Sequence, residues 1–243
     1  MREFYRSEGA AEGGRGGNSA APERSAGAKR RRSDFPSKCV RAMFRISHTN
    51  QFLSMETLNA KELNNLLYRS LSKNKIYLEA LSIVKKNSSG KVWLIGSGVY
   101  KTLLNVLYGH TYDIKDWDFI VEKIKSTLNL ENNWKVGETK GGNPKLKKND
   151  FVIDLISLDN IHSIQTRNLS PSIANYLTGT PLTIQSLAFD VDENLILGEV
   201  GIKSILTRTI SVNNASENNY AKGAYGDTYS TKRYADTLRL KEI

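Results

Sequence analysis

The hydrophobic period changes abruptly at one place in this chain, and that change limits the folds open to it. Lys91-Val92-Trp93-Leu94-Ile95 is a short apolar run closed by Gly96-Ser97-Gly98. Val99, Leu103, Leu104 and Leu107 then recur at helical spacing, and Gly109 ends the pattern. The reading is a buried strand, a tight turn of small residues and a helix that starts at once. A strand of that kind needs neighbours on both sides and a helix laid over it, which predicts an α/β (α+β) chain.

The rest of the pattern supplies the neighbours. Leu58, Leu63, Leu66, Leu67 and Leu71 predict a helix over 58–73. A second helix is expected over 76–85, with Tyr77, Leu81 and Val84 on one face, stopped by Asn87-Ser88-Ser89-Gly90. Strands are expected at 117–121, at 134–139 (turned by Gly141-Gly142-Asn143-Pro144) and at 151–158. Residues 161–177 read as partly helical, 183–191 and 194–197 as a β pair around Asp192-Glu193, and 228–243 as a terminal helix. The expected architecture is a small mixed sheet flanked by helices.

Several classes drop out on composition. No apolar run reaches eighteen residues, so no membrane helix is expected. The single cysteine, Cys39, excludes an internal disulfide and a Cys-rich zinc site. His48, His110 and His162 stand at no metal-ligand spacing. A P-loop is excluded because Ser88-Ser89-Gly90-Lys91 is followed by Val92 and lacks the upstream glycine.

The net charge is +10, and half of it falls in residues 1–41, which hold ten Lys/Arg against five Asp/Glu. That segment is rich in Gly, Ala, Ser and Arg, and cannot bury enough apolar surface to offset ordering entropy. We therefore expect a disordered basic tail over 1–42 and a folded domain over 43–243. Lys29-Arg30-Arg31-Arg32 reads as a nuclear-import or RNA-contact patch, or more plainly as a solvated tail or an over-extended start. The expected compartment is cytoplasmic, or nuclear if the tail is genuine. The basic body points to a polyanionic partner or a triphosphate.

Three features carry chemistry. At Gly96-Ser97 small residues let backbone amides approach a phosphate, and the helix N-terminus behind them favours negative charge. Asp116-Trp117-Asp118 opens a strand, so its two carboxylates share a face about 7 Å apart while Trp117 turns to the core. Such a pair suits Mg²⁺, or else faces water at a strand end. Phe151-Val152-Ile153-Asp154-Leu155-Ile156 sets a third carboxylate in an apolar strand, on the face of Val152 and Ile156. A lone charge there is expensive unless it is paired or binds a cation. Together these are the parts of two-metal nucleotidyl transfer.

The stretch from Leu94-Ile95-Gly96-Ser97-Gly98-Val99-Tyr100-Lys101 through Asp116-Trp117-Asp118-Phe119 resembles the head domain of poly(A) polymerases and CCA-adding tRNA nucleotidyltransferases, in the polymerase-β-like nucleotidyltransferase superfamily. Leu182-Thr183-Ile184-Gln185-Ser186-Leu187-Ala188 is similar to that family's later F-T-I-N-A-L-A segment. The resemblance covers roughly 91–212, about half the chain. It implies the nucleotidyltransferase fold, two Mg²⁺ ions on Asp116, Asp118 and Asp154, and an NTP substrate cradled by Gly96 and Ser97. It also implies a role for Asp154 as ligand or general base and Mg²⁺-dependent transfer of a nucleoside monophosphate to a hydroxyl acceptor, which is left open between an RNA 3′ end (of tRNA or another RNA), a small molecule and a protein side chain; Lys101 either neutralises phosphate charge or is a plain surface lysine.

The departures are equally specific. Tyr100 stands where the family carries Arg, after Gly-Ser rather than Gly-Gly, and Gly179-Thr180-Pro181 replaces its Arg-Arg-Asp. About thirty residues follow Val212, short of the family's helical neck, body and tail. The short C-terminal stretch speaks against a complete CCA-adding enzyme; the missing Arg-Arg-Asp supports the rival reading, a non-catalytic relative that binds RNA or protein, and the three retained carboxylates oppose it, so the expected function is nucleotidyl transfer. The Tyr220, Tyr225, Tyr229 and Tyr234 segment could stack bases, but Tyr225, Tyr229 and Lys232 also fit one face of a packed terminal helix, the reading preferred here.

Overall fold

Strand β1 (Ser88–Ile95) runs into helix α3 (Ser97–Tyr108) through Gly96 alone. Gly96 sits at φ +62°, a conformation that L side chains avoid, which explains a glycine at the junction. Gly109 closes α3 in the left-handed conformation. Upstream lie α1 (Ala60–Leu71), begun by an Asn59–Glu62 capping box, and α2 (Lys75–Asn87), capped by Asn74. The structure, a computed structural model, describes residues 58–226 and 230–243. The expected tail over 1–42, its basic tetrad and Tyr229 lie outside the described residues.

The central sheet also contains β2 (Asp116–Ile124), β3 (Lys135–Glu138), β4 (Pro144–Lys148), β5 (Phe151–Ser157), β6 (Ala188–Asp190) and β7 (Leu195–Leu197). Its order is β3-β4-β5-β2-β1-β6-β7. β2 and β5 run parallel, and the other neighbours are antiparallel. The remaining elements are α4 (His162–Thr166), α5 (Ile173–Thr178), α6 (Glu199–Thr207), α7 (Ala215–Tyr225) and α8 (Thr231–Leu238), with a parallel pair of β8 (Thr209–Ile210) and β9 (Lys241–Glu242).

Alternation along the strands sorts the sheet into two unlike faces. One carries Leu94, Trp117, Phe119, Val121, Ile153, Leu155 and Phe189, covered by Leu63 and Leu67 of α1, Tyr77 and Val84 of α2, and Val99 and Leu103 of α3. Each fully buried side chain of Phe119's kind contributes roughly 1.5–3 kcal/mol. The other face carries Trp93, Ile95 and Ile120, packed by Leu158, Ile161 and Ile164 from the segment leading into α4. That second cluster is smaller and leaves part of the face open beside Asp118 and Asp154.

The structure differs from the expected elements in several places, and α6, β8 and α7 lie where no element was expected. Helix α2 stops at Asn87 as expected, but Ser88-Ser89-Gly90 forms no loop: it opens β1, and a bulge between Ser89 and Val92 absorbs the extra residue. β4 was not expected, because Lys145-Leu146-Lys147-Lys148 reads as a charge run and only Leu146 reaches the core. The first part of the expected 183–191 strand is a 3-10 turn, Thr183–Gln185, whose buried Ile184 and neighbouring Leu187 lie under α6; only Ala188–Asp190 pairs as strand. Tyr225 ends α7 rather than sharing a face of one terminal helix with Lys232 of α8, and it is exposed.

Candidate active site

The open face of the sheet forms one wall of a cavity of about 570 Å³. Gly96, Ser97, Asp118 and Asp154 line one part; His162, Glu217 and Tyr220, from α4 and α7, line another. Gly179, Thr180 and Pro181 also line it and bring no charge to the wall.

Register sets the carboxylates. In the parallel β2–β5 pair Asp118 stands opposite Asp154, and Asp116 opposite Val152. Because side chains alternate, Asp116, Asp118 and Asp154 all fall on one face, while Trp117, Ile153 and Leu155 take the other with no more than 1% exposure. Tyr77 stacks against Trp117 and Phe119, with ring centroids 5.5 and 6.4 Å apart, and so anchors the β2 strand from beneath.

The turn and the carboxylates meet at Gly96. A Cβ on Gly96 would lie 2.5 Å from Oδ2 of Asp118, so the glycine also makes room for that carboxylate. Ser97 Oγ donates to the Asp116 carbonyl at 3.2 Å, tying the first residue of α3 to the first of β2. Gly96 supplies no side-chain cap; the Val99 and Tyr100 amides donate to the Gly96 carbonyl, at 3.1 and 3.3 Å, and those of Ser97 and Gly98 open the helix ahead of them. They form the anion-seeking end of the turn.

The acid cluster is electrostatically strained. Burial first, then the charges of Asp154 and Asp116, push the Asp118 carboxyl up to about 7, with Lys145 opposing them. Lys145 of β4 pairs in register with Asp154. Its ammonium lies 3.1 Å from Oδ1 and donates to Oδ2 at 3.3 Å. Oδ1 of Asp154 is sealed from solvent and accepts no well-directed hydrogen bond.

An all-oxygen donor set with an unsatisfied carboxylate oxygen matches the chemistry of Mg²⁺. Even so, among the described residues no three His, Cys, Asp or Glu side chains are gathered closely enough to enclose a metal ion. Asp116 is exposed and does not line the cavity. Lys101 donates to the Asp113 carbonyl at 3.4 Å and is not part of the lining either. The structure thus brings Gly96, Ser97, Asp118 and Asp154 together, sets Asp116 at the edge, and leaves Lys101 outside.

Of the other lining residues, His162, Glu217 and Lys140 escaped the sequence reading, whereas Tyr220 and Tyr225 were in it as possible base-stacking side chains. His162 Nδ1 lies 3.1 Å from Glu217 Oε2, and its ring stacks on Tyr220 at 3.8 Å. Lys140, at the β3–β4 tip, lies over the Tyr225 ring and donates to the Ala224 carbonyl. Each contact joins residues far apart in sequence, so no local spacing announces it. Lys145 was missed with its strand: once β4 is in place, alternation puts Lys145 and Lys147 on one side and Leu146 in the core.

No protein-family profile matches the chain, and no curated protein matches it. Among solved structures, the CCA-adding enzyme of Bacillus stearothermophilus in complex with CTP superposes with a TM-score of 0.50 at 16% identity, over 70% of this chain and 41% of that one. The chain has the nucleotidyltransferase fold. A tRNA nucleotidyltransferase complexed with a primer tRNA and an incoming ATP analog matches over 63% of this chain and 43% of that one, with TM-score 0.43 and 16% identity. A tRNA-processing enzyme with CTP matches over 63% and 40%, with TM-score 0.42 and 16% identity. The chain therefore aligns with less than half the length of each neighbour.

Proposed function

We propose that this protein is a Mg²⁺-dependent nucleotidyltransferase that moves a nucleoside monophosphate from an NTP to a hydroxyl acceptor, with an RNA 3′ end the favoured acceptor. The observation that carries the reading is the in-register pairing of Asp118 with Asp154 beside the Gly96–Ser97 turn.

In this reading Asp116, Asp118 and Asp154 would hold the divalent ions. Bound there, Mg²⁺ would polarise the α-phosphate and offset charge on the departing pyrophosphate. The Gly96–Ser97 amides and the α3 N-terminus bind and orient the triphosphate. The acceptor oxygen attacks the α-phosphorus, the bond to the β-phosphate oxygen breaks, and Asp154 takes the hydroxyl proton. Positioning and electrostatics do most of the work, as in other phosphoryl transfers. The cavity's aromatic wall, with the stacked His162 and Tyr220, gives the nucleoside a surface to lie against.

One observation favours the rival, an inactive fold relative that binds RNA or protein: Lys145 already neutralises Asp154. The test is to incubate the chain with labelled NTPs, Mg²⁺ and mixed RNA, beside the Asp116→Ala/Asp118→Ala variant. The nucleotidyltransferase labels the acceptor and releases pyrophosphate, and the variant does neither. Equal labelling in both, or none in either, would count for the binding module.

A further inference from the structure

Two acids held side by side in a parallel strand pair repel, and a fold that keeps them there needs a compensating charge. Lys145 provides it. β4–β5 pairing places it opposite Asp154, and its ammonium reaches both carboxylate oxygens, at 3.1 and 3.3 Å. These oxygens include the one acceptor in the cluster that is sealed from water without a well-directed donor. The two partners differ in access: the Asp154 side chain is 19% exposed, whereas that of Lys145 is 43% exposed. Lys145 can therefore swing into solvent without unfolding anything, while Asp154 stays in place.

We propose that Lys145 is a built-in counter-ion of the carboxylate cluster, standing on Asp154 where a divalent cation would bind and competing with it. The proposal rests on the reading of the three aspartates as cation ligands. Lys145 then has two effects on the same site. It holds the metal-free cluster together by supplying one positive charge, and it weakens divalent binding because an entering ion must displace it. The two ions would then be bound unequally: an ion at Asp116 and Asp118 meets no resident ion pair, whereas one reaching Asp154 does.

The experiment measures Mn²⁺ binding to the full chain without nucleotide, by the electron paramagnetic resonance of free Mn²⁺, together with melting in chelator and in saturating Mn²⁺. Lys145→Met keeps the length of the side chain and removes the charge; Lys145→Arg keeps the charge. We expect Lys145→Met to bind Mn²⁺ roughly tenfold more tightly, and Lys145→Arg to stay near wild type. Lys145→Met melts lower in chelator, and Mn²⁺ closes the gap. In an Asp154→Asn background the same substitution leaves Mn²⁺ affinity unchanged. Unaltered or weaker binding by Lys145→Met, a melting deficit that Mn²⁺ leaves open, or an equal gain in the Asp154→Asn background would each overturn the proposal while leaving the nucleotidyltransferase reading standing. No Mn²⁺ bound by either protein would remove both.

Discussion

Asp118 and Asp154 face each other across the parallel β2–β5 pair, and no bond joins them; the cation between strands belongs to Lys145, which bonds only Asp154. Asp118 is thus the less compensated of the two. If the proposed function holds, Asp118→Asn should lower nucleotidyl transfer on the order of a hundredfold or more, the scale of losing a cation ligand. The same substitution should raise the melting temperature of the metal-free protein at pH 8, because it removes a repelling charge. Paired activity and melting measurements check both halves.

The raised Asp118 carboxyl, pushed up to about 7, has a definite sign in stability. Between the ordinary carboxylate range and 7 the folded chain binds more protons than the unfolded one. Stability from this group is then fully present at acid pH and is lost as pH rises through about 7. Without divalent ions the protein should lose this contribution progressively as pH rises from the ordinary carboxylate range to about 7, and Asp118→Asn should flatten that change. Added Mg²⁺ should raise the melting temperature more at pH 8 than at pH 5.5, since at the lower pH the ion must displace a proton. Melting scans at both pH values, with and without Mg²⁺, read this directly.

Gly96→Ala meets two obstacles at once. The backbone is at φ +62°, and the added carbon would lie 2.5 Å from Asp118 Oδ2. We expect a loss of about 1–3 kcal/mol in stability from the strained backbone and a larger proportional loss of activity, because the carboxylate must move. Urea melts and initial rates separate the two.

Asn87 is a structural control far from the cavity. It is fully buried at the α2–β1 junction; its Nδ2 donates to the Ile83 and Asn129 carbonyls at 2.8 and 3.2 Å, and its Oδ1 accepts from the Asn129 amide. Asn87→Ala leaves those groups without partners and should cost about 1–3 kcal/mol, with the metal response of the melting temperature intact.

Lys101 makes the opposite prediction. Its ammonium is spent on the Asp113 carbonyl outside the cavity. Lys101→Ala should leave KM for NTP within about twofold, the scale of an exposed contact. A tenfold rise would show that the helix rotates its lysine onto the substrate during turnover.

Much of this was readable one segment at a time. The change of period at Gly96 located β1 and α3, and alternation assigned Asp154 to the face of Val152 and Ile156 and Trp117 to the core, because both patterns are properties of a single strand or helix. β4 was hidden for the same reason: with only Leu146 reaching the core, its own residues hold too little signal against four neighbouring charges or turns. The 3-10 turn at Thr183–Gln185 was misread as strand because burial under α6, a distant element, makes a short segment apolar whatever its backbone does.

Which strand lies beside which was decided elsewhere. β2 and β5 are separated by two further strands in the chain, yet they are neighbours in the sheet, and their register puts Asp118 opposite Asp154. β4 docking on the far side of β5 then brings Lys145 to the same carboxylate. A shift of one residue in either pairing would keep every local pattern and turn a strand's core side chains to the open face. Only the simultaneous burial of Trp117, Phe119, Ile153, Leu155 and Leu146 forbids it. The parts of the site are local chemistry, and their meeting is a consequence of packing.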